Sequence, residues 1–243
     1  DLVNDQGVEI ERMNTIAVNL SDDPRSGLTP GLFTADEAIL NLELIASLRK
    51  PTGFFDPDNP ASKGVEDPTK DIDEEKELTT LEKSRALKSP ILSFANTDMA
   101  FRDDLLVAGN YHGFNMYKIN GDGVPDLISS IVCPGGQGDV SIVDNLLIMS
   151  VEQIRSRIDC GSNGVGSDAN PDRFRGIRIF DISDLTNPKQ VGAVQTCRGS
   201  HTHSVVSGPT KDGKIIVYNS GTASVRDEEE MEECIGNVPG DQR

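Results

Sequence analysis

Residues 113–131, GFNMYKINGDGVPDLISSI, and residues 176–194, GIRIFDISDLTNPKQVGAV, carry one pattern at an offset of 63. Each opens on glycine and alternates aliphatic or aromatic side chains with others. Each then turns through a polar stretch containing Pro125 or Pro188 and returns in a second run rich in β-branched residues. Such alternation, bounded by Gly, Asn, Asp and Pro, reads as short strands rather than helix. Working outward, LLVAGN from Leu105 matches LLIMSV from Leu146, and TDMAF from Thr97 matches GDVSI from Gly138, both at an offset of 41. Cys133 and Cys197 differ by 64, so the unit extends to its last residue. The step from 41 to 63 places an insertion of about 22 residues between Val151 and Phe174.

The repeat predicts strands over 97–102, 105–110, 113–119 and 126–133 in one unit, and over 138–143, 146–151, 176–182 and 189–197 in the next. A third unit opens with THSVVSG from Thr202 and KIIVYNSG from Lys214. Four strands recurring about every 40 residues are the signature of a propeller blade. The expected fold is all-β: a β-propeller of four-stranded antiparallel blades over residues 93–243, two complete and a third partial. Propellers take roughly four to eight blades, so the ring is incomplete in this chain. The expectation is that the native product continues past Arg243 or that a partner completes the ring.

The stretch GIRIFDISDLTNPKQVGAV, with NLELIASL, FANTDMAF, CPGGQGDVSI and CRGSHTHSVV, resembles the LVIVD repeat of secreted and surface bacterial β-propellers. The resemblance covers roughly residues 39–226 and implies a fold more than a task. In the first unit Lys118 stands where the second has Asp181, so the DIS turn of the family is degraded there.

The first ninety residues differ in kind. Residues 1–41 read as an irregular acidic extension in which TADE, residues 34–37, is a capping box that predicts a short helix from Ala35. LELIASL, residues 42–48, alternates like a strand. It precedes FANTDMAF much as ISSIVC precedes GQGDVSI, so residues 42–49 are expected to pair as an outer, ring-closing strand of a blade whose inner strand is 96–102. Residues 50–92 are rich in Pro, Asp, Glu and Lys and read as a mobile acidic insertion, with a helical turn at 74–87.

The chain has 243 residues, 40 acidic against 23 basic, and a net charge of −17. A surface of that sign repels nucleic acid and anionic lipid. No apolar run approaches the ~18 residues of a membrane span. The sequence starts at Asp1 without Met, which fits a removed leader or a fragment. Four cysteines, none in a CxxC pair, argue against a zinc knuckle and for two disulfides in an oxidising compartment, secreted, periplasmic or cell-surface. Four cysteines allow three pairings. Blade topology selects Cys133–Cys160 and Cys197–Cys234, because each pair joins the end of an outer strand to the second-to-third-strand insertion of the following unit.

The histidines fall on that same face. By the repeat, His203 aligns with Asp139 and Asp98, and His201 with Gln137. Asp98, Gln137 and Asp139 are therefore the expected ligand-binding residues at the channel mouth. His201 and His203, two apart on a strand, are the expected ligands of a divalent metal. The same residues could instead hydrogen-bond one another and channel water. His112, in a tight turn, lies too far out to join them. NGDGVPD, residues 120–126, resembles a calcium loop, but Lys118 occupies the first ligand position and the repeat already explains the turn. Residues 161–171 are Gly-rich without phosphate-loop spacing, and residues 227–234, DEEEMEEC, read as a solvated helix.

No Ser-His-Asp order or activated cysteine can be assembled; Ser200 beside His201 is the wrong geometry for a nucleophile and its base. The sequence thus points to a structural or interaction protein, part of a larger extracellular assembly, presenting a loop-rich, disulfide-bonded face to a protein partner. The alternative is a metal-dependent enzyme with its histidine/aspartate site at the channel mouth. Sugar binding is disfavoured because the chain has no Trp and only 3 Tyr.

Overall fold

The computed structural model describes residues 23–31, 34–56, 94–165 and 169–236. The chain divides into two compact units, 1–47 and 48–243. The first contains neither helix nor strand among its described residues. The capping box of residues 34–37 starts no helix. Asp36 is engaged elsewhere: its N–H donates to the Thr29 carbonyl at 3.0 Å and its carboxylate accepts the Thr29 N–H at 2.9 Å. Without an apolar face to bury, so short a helix has nothing to hold it.

Among its described residues the second unit is all-β, with ten strands: β1 (Asn96–Arg102), β2 (Leu105–Asn110), β3 (Gly113–Ile119), β4 (Pro125–Val132), β5 (Val140–Val143), β6 (Leu146–Val151), β7 (Gly176–Asp181), β8 (Lys189–Gln195), β9 (Thr202–Ser207) and β10 (Ile216–Ser220). They form two antiparallel four-stranded sheets, ordered β1-β2-β3-β4 and β5-β6-β7-β8, and a two-stranded sheet of β9 and β10. Among the described residues no closed ring is seen. The outer position beside β3 is filled by β4. Residues 42–49, expected as that blade's outer strand, carry no strand, and Leu42, Leu44, Ile45 and Leu48 are exposed. Alternation alone did not make a strand there, because a strand needs a partner edge. Most of the expected acidic insertion, residues 57–92, lies outside the described residues. Its opening is not loose: Phe54 is fully buried and Lys50 donates to the Phe94 carbonyl.

The repeat survives at atomic detail. Gly113 and Gly176 open β3 and β7 with φ of 137° and 149°. A Cβ at either would sit 2.0 Å from the Ile131 carbonyl oxygen or 1.9 Å from that of Val194, themselves 63 residues apart. No side chain fits, which is why both copies start on glycine. The main core lies between the two four-stranded sheets. Leu105, Val107, Phe114 and Met116 of the first meet Val140, Leu147, Met149 and Phe180 of the second. Phe114 and Phe180 pack edge to face with centroids 5.0 Å apart, worth about 1 kcal/mol beyond their burial. A smaller core joins the far face of the second sheet (Val143, Ile148, Ile177) to Val205, Ile215 and Val217 of the hairpin.

Candidate functional site

The 24 residues between β6 and β7 lie between the ends Val151 and Gly176 and fold around buried arginines. Arg178 is fully buried; it donates to Gln190 Oε1 at 2.8 Å, to Ser156 Oγ and the Ile158 carbonyl at 3.2 Å, and to the Arg157 carbonyl. Its guanidinium lies 4.2 Å from the centroid of the Phe174 ring. Burial pulls its pKa down to about 10, with Asp159 opposing, so it stays charged at neutral pH. Cys160 is bonded to Cys133, fastening this insertion to the end of the first sheet.

A second lock joins this insertion to the segment after β10. Glu230, with a side chain only 1% exposed, takes Arg173 on Oε1 and Arg226 on Oε2, the latter at 3.0 Å. Arg226 also donates to the Arg173 carbonyl at 3.0 Å, and the Asn170 N–H reaches Glu230 Oε1 at 3.1 Å. Cys234 closes the Cys197 disulfide. The helix expected over 227–234 is absent: these residues form turns, because Glu230 is drawn inward by two guanidiniums. Both disulfides, Cys133–Cys160 and Cys197–Cys234, pair as expected. They close loops with sequence separations of 27 and 37, each worth about 3–4 kcal/mol on the chain-entropy account. The insertions of two successive units are thus cross-linked to each other and to the sheets behind them.

The residues expected at the channel mouth serve mostly as ties between sheets. Asp98 accepts the Val140 N–H at 3.0 Å, and Asp139 accepts the His203 N–H at 2.7 Å, so each carboxylate pins the next inner strand. These bonds make His203 the counterpart of Val140, not of Asp139, and the pairs His203↔Asn219 and Val140↔Met149 agree. Thr202 therefore holds the place equivalent to Asp139. A slip of one residue sends a side chain to the other face of its sheet, and His203 is buried against the second sheet with its side chain fully covered. Its Nδ1 meets Asp139 Oδ2 at 2.9 Å and Ser150 Oγ at 2.8 Å, while Ser150 Oγ meets Ser200 Oγ at 2.8 Å. Burial raises the Asp139 pKa, but the bonds from His203 outweigh it and hold the carboxyl below its ordinary value. This is not a hydrolytic triad. Serine and aspartate share one ring nitrogen, and Nε2 is buried with no partner among the described residues.

His201, half-exposed, turns instead to Glu152, 2.8 Å from its Nδ1. Glu152 also accepts the Thr222 N–H at 2.7 Å and the Ala223 N–H at 2.9 Å; burial raises its pKa, and these partners together lower it. The two histidines expected to chelate together thus face separate carboxylates. His201 precedes β9, so strand alternation does not bring it to the side of His203. Among the described residues no three His, Cys, Asp or Glu side chains are placed to hold one metal ion. Gln137 sits in the turn before β5 with φ of 58°. Where the inner strands come together an open concavity of about 690 Å³ is lined by Ala100, Val140, Ile142, His203, Val205 and Pro209 among others. Of the expected site residues only His203 reaches it.

No family model matches the chain, and no curated protein matches it. Among solved structures it is similar to the computationally designed Ika4 protein: 15% identity, a TM-score of 0.23, and coverage of 52% of this chain and 92% of that one. So low a TM-score carries no inference.

His112 belongs to a different environment. Its ring centroid is 4.8 Å from that of Phe94 and 5.9 Å from that of Phe54. Burial, with Arg155 nearby, pulls its pKa down to about 4. Residues 120–126 close on themselves, Asn120 Nδ2 donating to Asp126 Oδ2 at 2.7 Å and the Val124 N–H to Asp122 Oδ1 at 3.1 Å, as a repeat turn does. The arginine–glutamate lock escaped sequence reading. Its one visible sign is five arginines (Arg155, Arg157, Arg173, Arg175, Arg178) crowded into or beside the insertion of an acidic chain.

Proposed function

We propose that the sheets are blades of a β-propeller of the LVIVD-repeat type and that the chain acts as a secreted or surface interaction protein. Its cross-linked loop face is the surface that meets a protein partner. One observation carries the reading: two successive insertions, at equivalent places in the repeat, are held by two disulfides and by the Arg173–Glu230–Arg226 lock. A loop surface fixed in advance loses little conformational freedom on binding. Disulfides are also compatible with an extracellular compartment. Among the described residues no helix is long and apolar enough to cross a membrane.

The test is a photo-cross-linking amino acid placed at Asn163, in the insertion, or at Asp122, in a turn between β3 and β4. The full chain is then exposed to the extracellular fraction of the cells that make it. A discrete adduct from Asn163 and none from Asp122 is expected. Equal labelling from both positions, or none from Asn163, would overturn the proposal.

A further inference from the structure

The sequence holds two Asn-Gly pairs, Asn120-Gly121 in the turn between β3 and β4 and Asn163-Gly164 in the insertion between β6 and β7. In such a pair no side chain on the second residue hinders its main-chain nitrogen from reaching the asparagine carboxamide, so intramolecular attack is easiest there. Whether it happens depends on how firmly the carboxamide is held. The fold treats the two pairs oppositely.

Asn120 is locked. Its Nδ2 donates to Asp126 Oδ2 at 2.7 Å, its N–H donates to the Val124 carbonyl at 3.0 Å, and its carbonyl accepts the Gly123 N–H at 2.9 Å. Swinging this carboxamide toward the Gly121 nitrogen breaks a bond to a charged acceptor. Asn163 is exposed, and among the described residues neither its carboxamide nor the Gly164 N–H has a hydrogen-bond partner. The chain leading to it is held, with the Gly161 N–H on Asp159 Oδ1 at 2.9 Å and Cys160 bonded to Cys133. Gly164 itself has a φ of 72°, where glycine is favoured. The conformation that shapes the insertion thus calls for glycine at 164, and that glycine leaves the carboxamide before it unguarded.

We infer that Asn163 is a site of spontaneous covalent modification, converting through a cyclic succinimide to aspartate and isoaspartate. The Gly164 nitrogen loses its proton to hydroxide and bonds to Asn163 Cγ. The Cγ–Nδ2 bond breaks, Nδ2 takes up a proton from water, and ammonia leaves. Water then opens the ring. Attack at Cγ gives aspartate on the original main chain. Attack at the main-chain carbonyl carbon gives isoaspartate, whose main chain runs through the former side chain. Nothing is oxidised or reduced, and water with its hydroxide is the only co-reactant. Either product adds a negative charge to the insertion. Asn163 lies outside the strands and the disulfides, so the sheets are untouched. The conversion needs no partner and does not depend on the function proposed above.

The test is to incubate the full chain in mildly alkaline buffer, then reduce it, digest it with trypsin and map the peptides by tandem mass spectrometry that separates aspartate from isoaspartate. Asn163 is expected to convert several-fold faster than Asn120, with isoaspartate among its products. In urea, where the fold no longer distinguishes the pairs, the two should convert at similar rates. Asp126→Ala frees the Asn120 carboxamide in an exposed turn and should bring Asn120 up toward the rate of Asn163. Conversion at Asn163 no faster than at Asn120 in the folded chain overturns the inference, as does an Asn163 that converts only in urea. An Asn120 left as slow by Asp126→Ala as in the wild type overturns the reason given for the difference.

Discussion

The two interfaces of the second unit are built from one repeat and hold by different means. Between the four-stranded sheets, ten buried residues form one apolar cluster reaching from β2 to Ile182. Between the second sheet and the hairpin the buried apolar cluster is smaller: among the described residues, Val143, Ile148 and Ile177. There polar ties carry more of the contact: His203 to Asp139 and Ser150, Glu152 to His201, Thr222 and Ala223, and Glu230 between its arginines. Apolar contact grows with area and tolerates imprecision. Polar contact is directional and costs most when half of a buried pair is removed. The hairpin side should therefore be the more sensitive to single polar changes.

The sharpest way to break that contrast is Phe114→Ala, which leaves a cavity in the main core and is expected to cost about 4 kcal/mol, read as a cooperative loss in denaturant unfolding. If the loss were confined to the hairpin, the two interfaces would not be distinct. Next comes Glu230→Gln, which removes the carboxylate charge shared by two buried guanidiniums at an expected cost of about 3 kcal/mol. Hydrogen exchange should show deprotection in the insertion and the segment after β10, while β1 to β4 stay protected.

Acid sharpens the picture on the other flank. His112 is held neutral, with a folded pKa of about 4 against an ordinary 6.5. Between these values the unfolded state binds the extra proton, so stability is full above pH 6.5 and falls as pH drops toward 4. The expected loss, discounted for solvent screening, is on the order of 1–2 kcal/mol. Melting temperatures across that window should fall in the wild type and stay level in His112→Gln. Asp139 and Glu152, held below their ordinary values, lose their contribution only as pH falls through and below the carboxylate range. Opening of the hairpin should follow, not precede, the His112 step. The smallest effect tests the repeat: Ile131→Ser should cost about 1–2 kcal/mol, and Val194→Ser, at the equivalent but exposed place, within about 0.5 kcal/mol.

Much of the fold was legible because strand alternation and glycine placement are local and the repeat states them twice. All eight strands of the two complete units start and end within two residues of the expected bounds. The disulfide pairing also followed, since topology left one arrangement that treats both units alike. Residues 42–48 show the limit of the same signal: alternation without a partner edge yields exposed leucines rather than a strand. The candidate site was less legible. The register of β9, marked by the His203 N–H bond to Asp139 and the His203↔Asn219 pair, lies one residue from the expected alignment and buries His203, while His201 falls outside the strand.

Sequence by itself determined the eight strands of the two complete units and the pairing of the cysteines, because each rests on a pattern that the repeat states twice. Only the tertiary structure decided that Glu230, in a run of acids that reads as solvated surface, is the buried partner of Arg173 and Arg226. It also decided that Val191 and Val194 are bare where Ile128 and Ile131 are covered. Desolvation and cover depend on what a distant part of the chain brings alongside, and no local pattern encodes that.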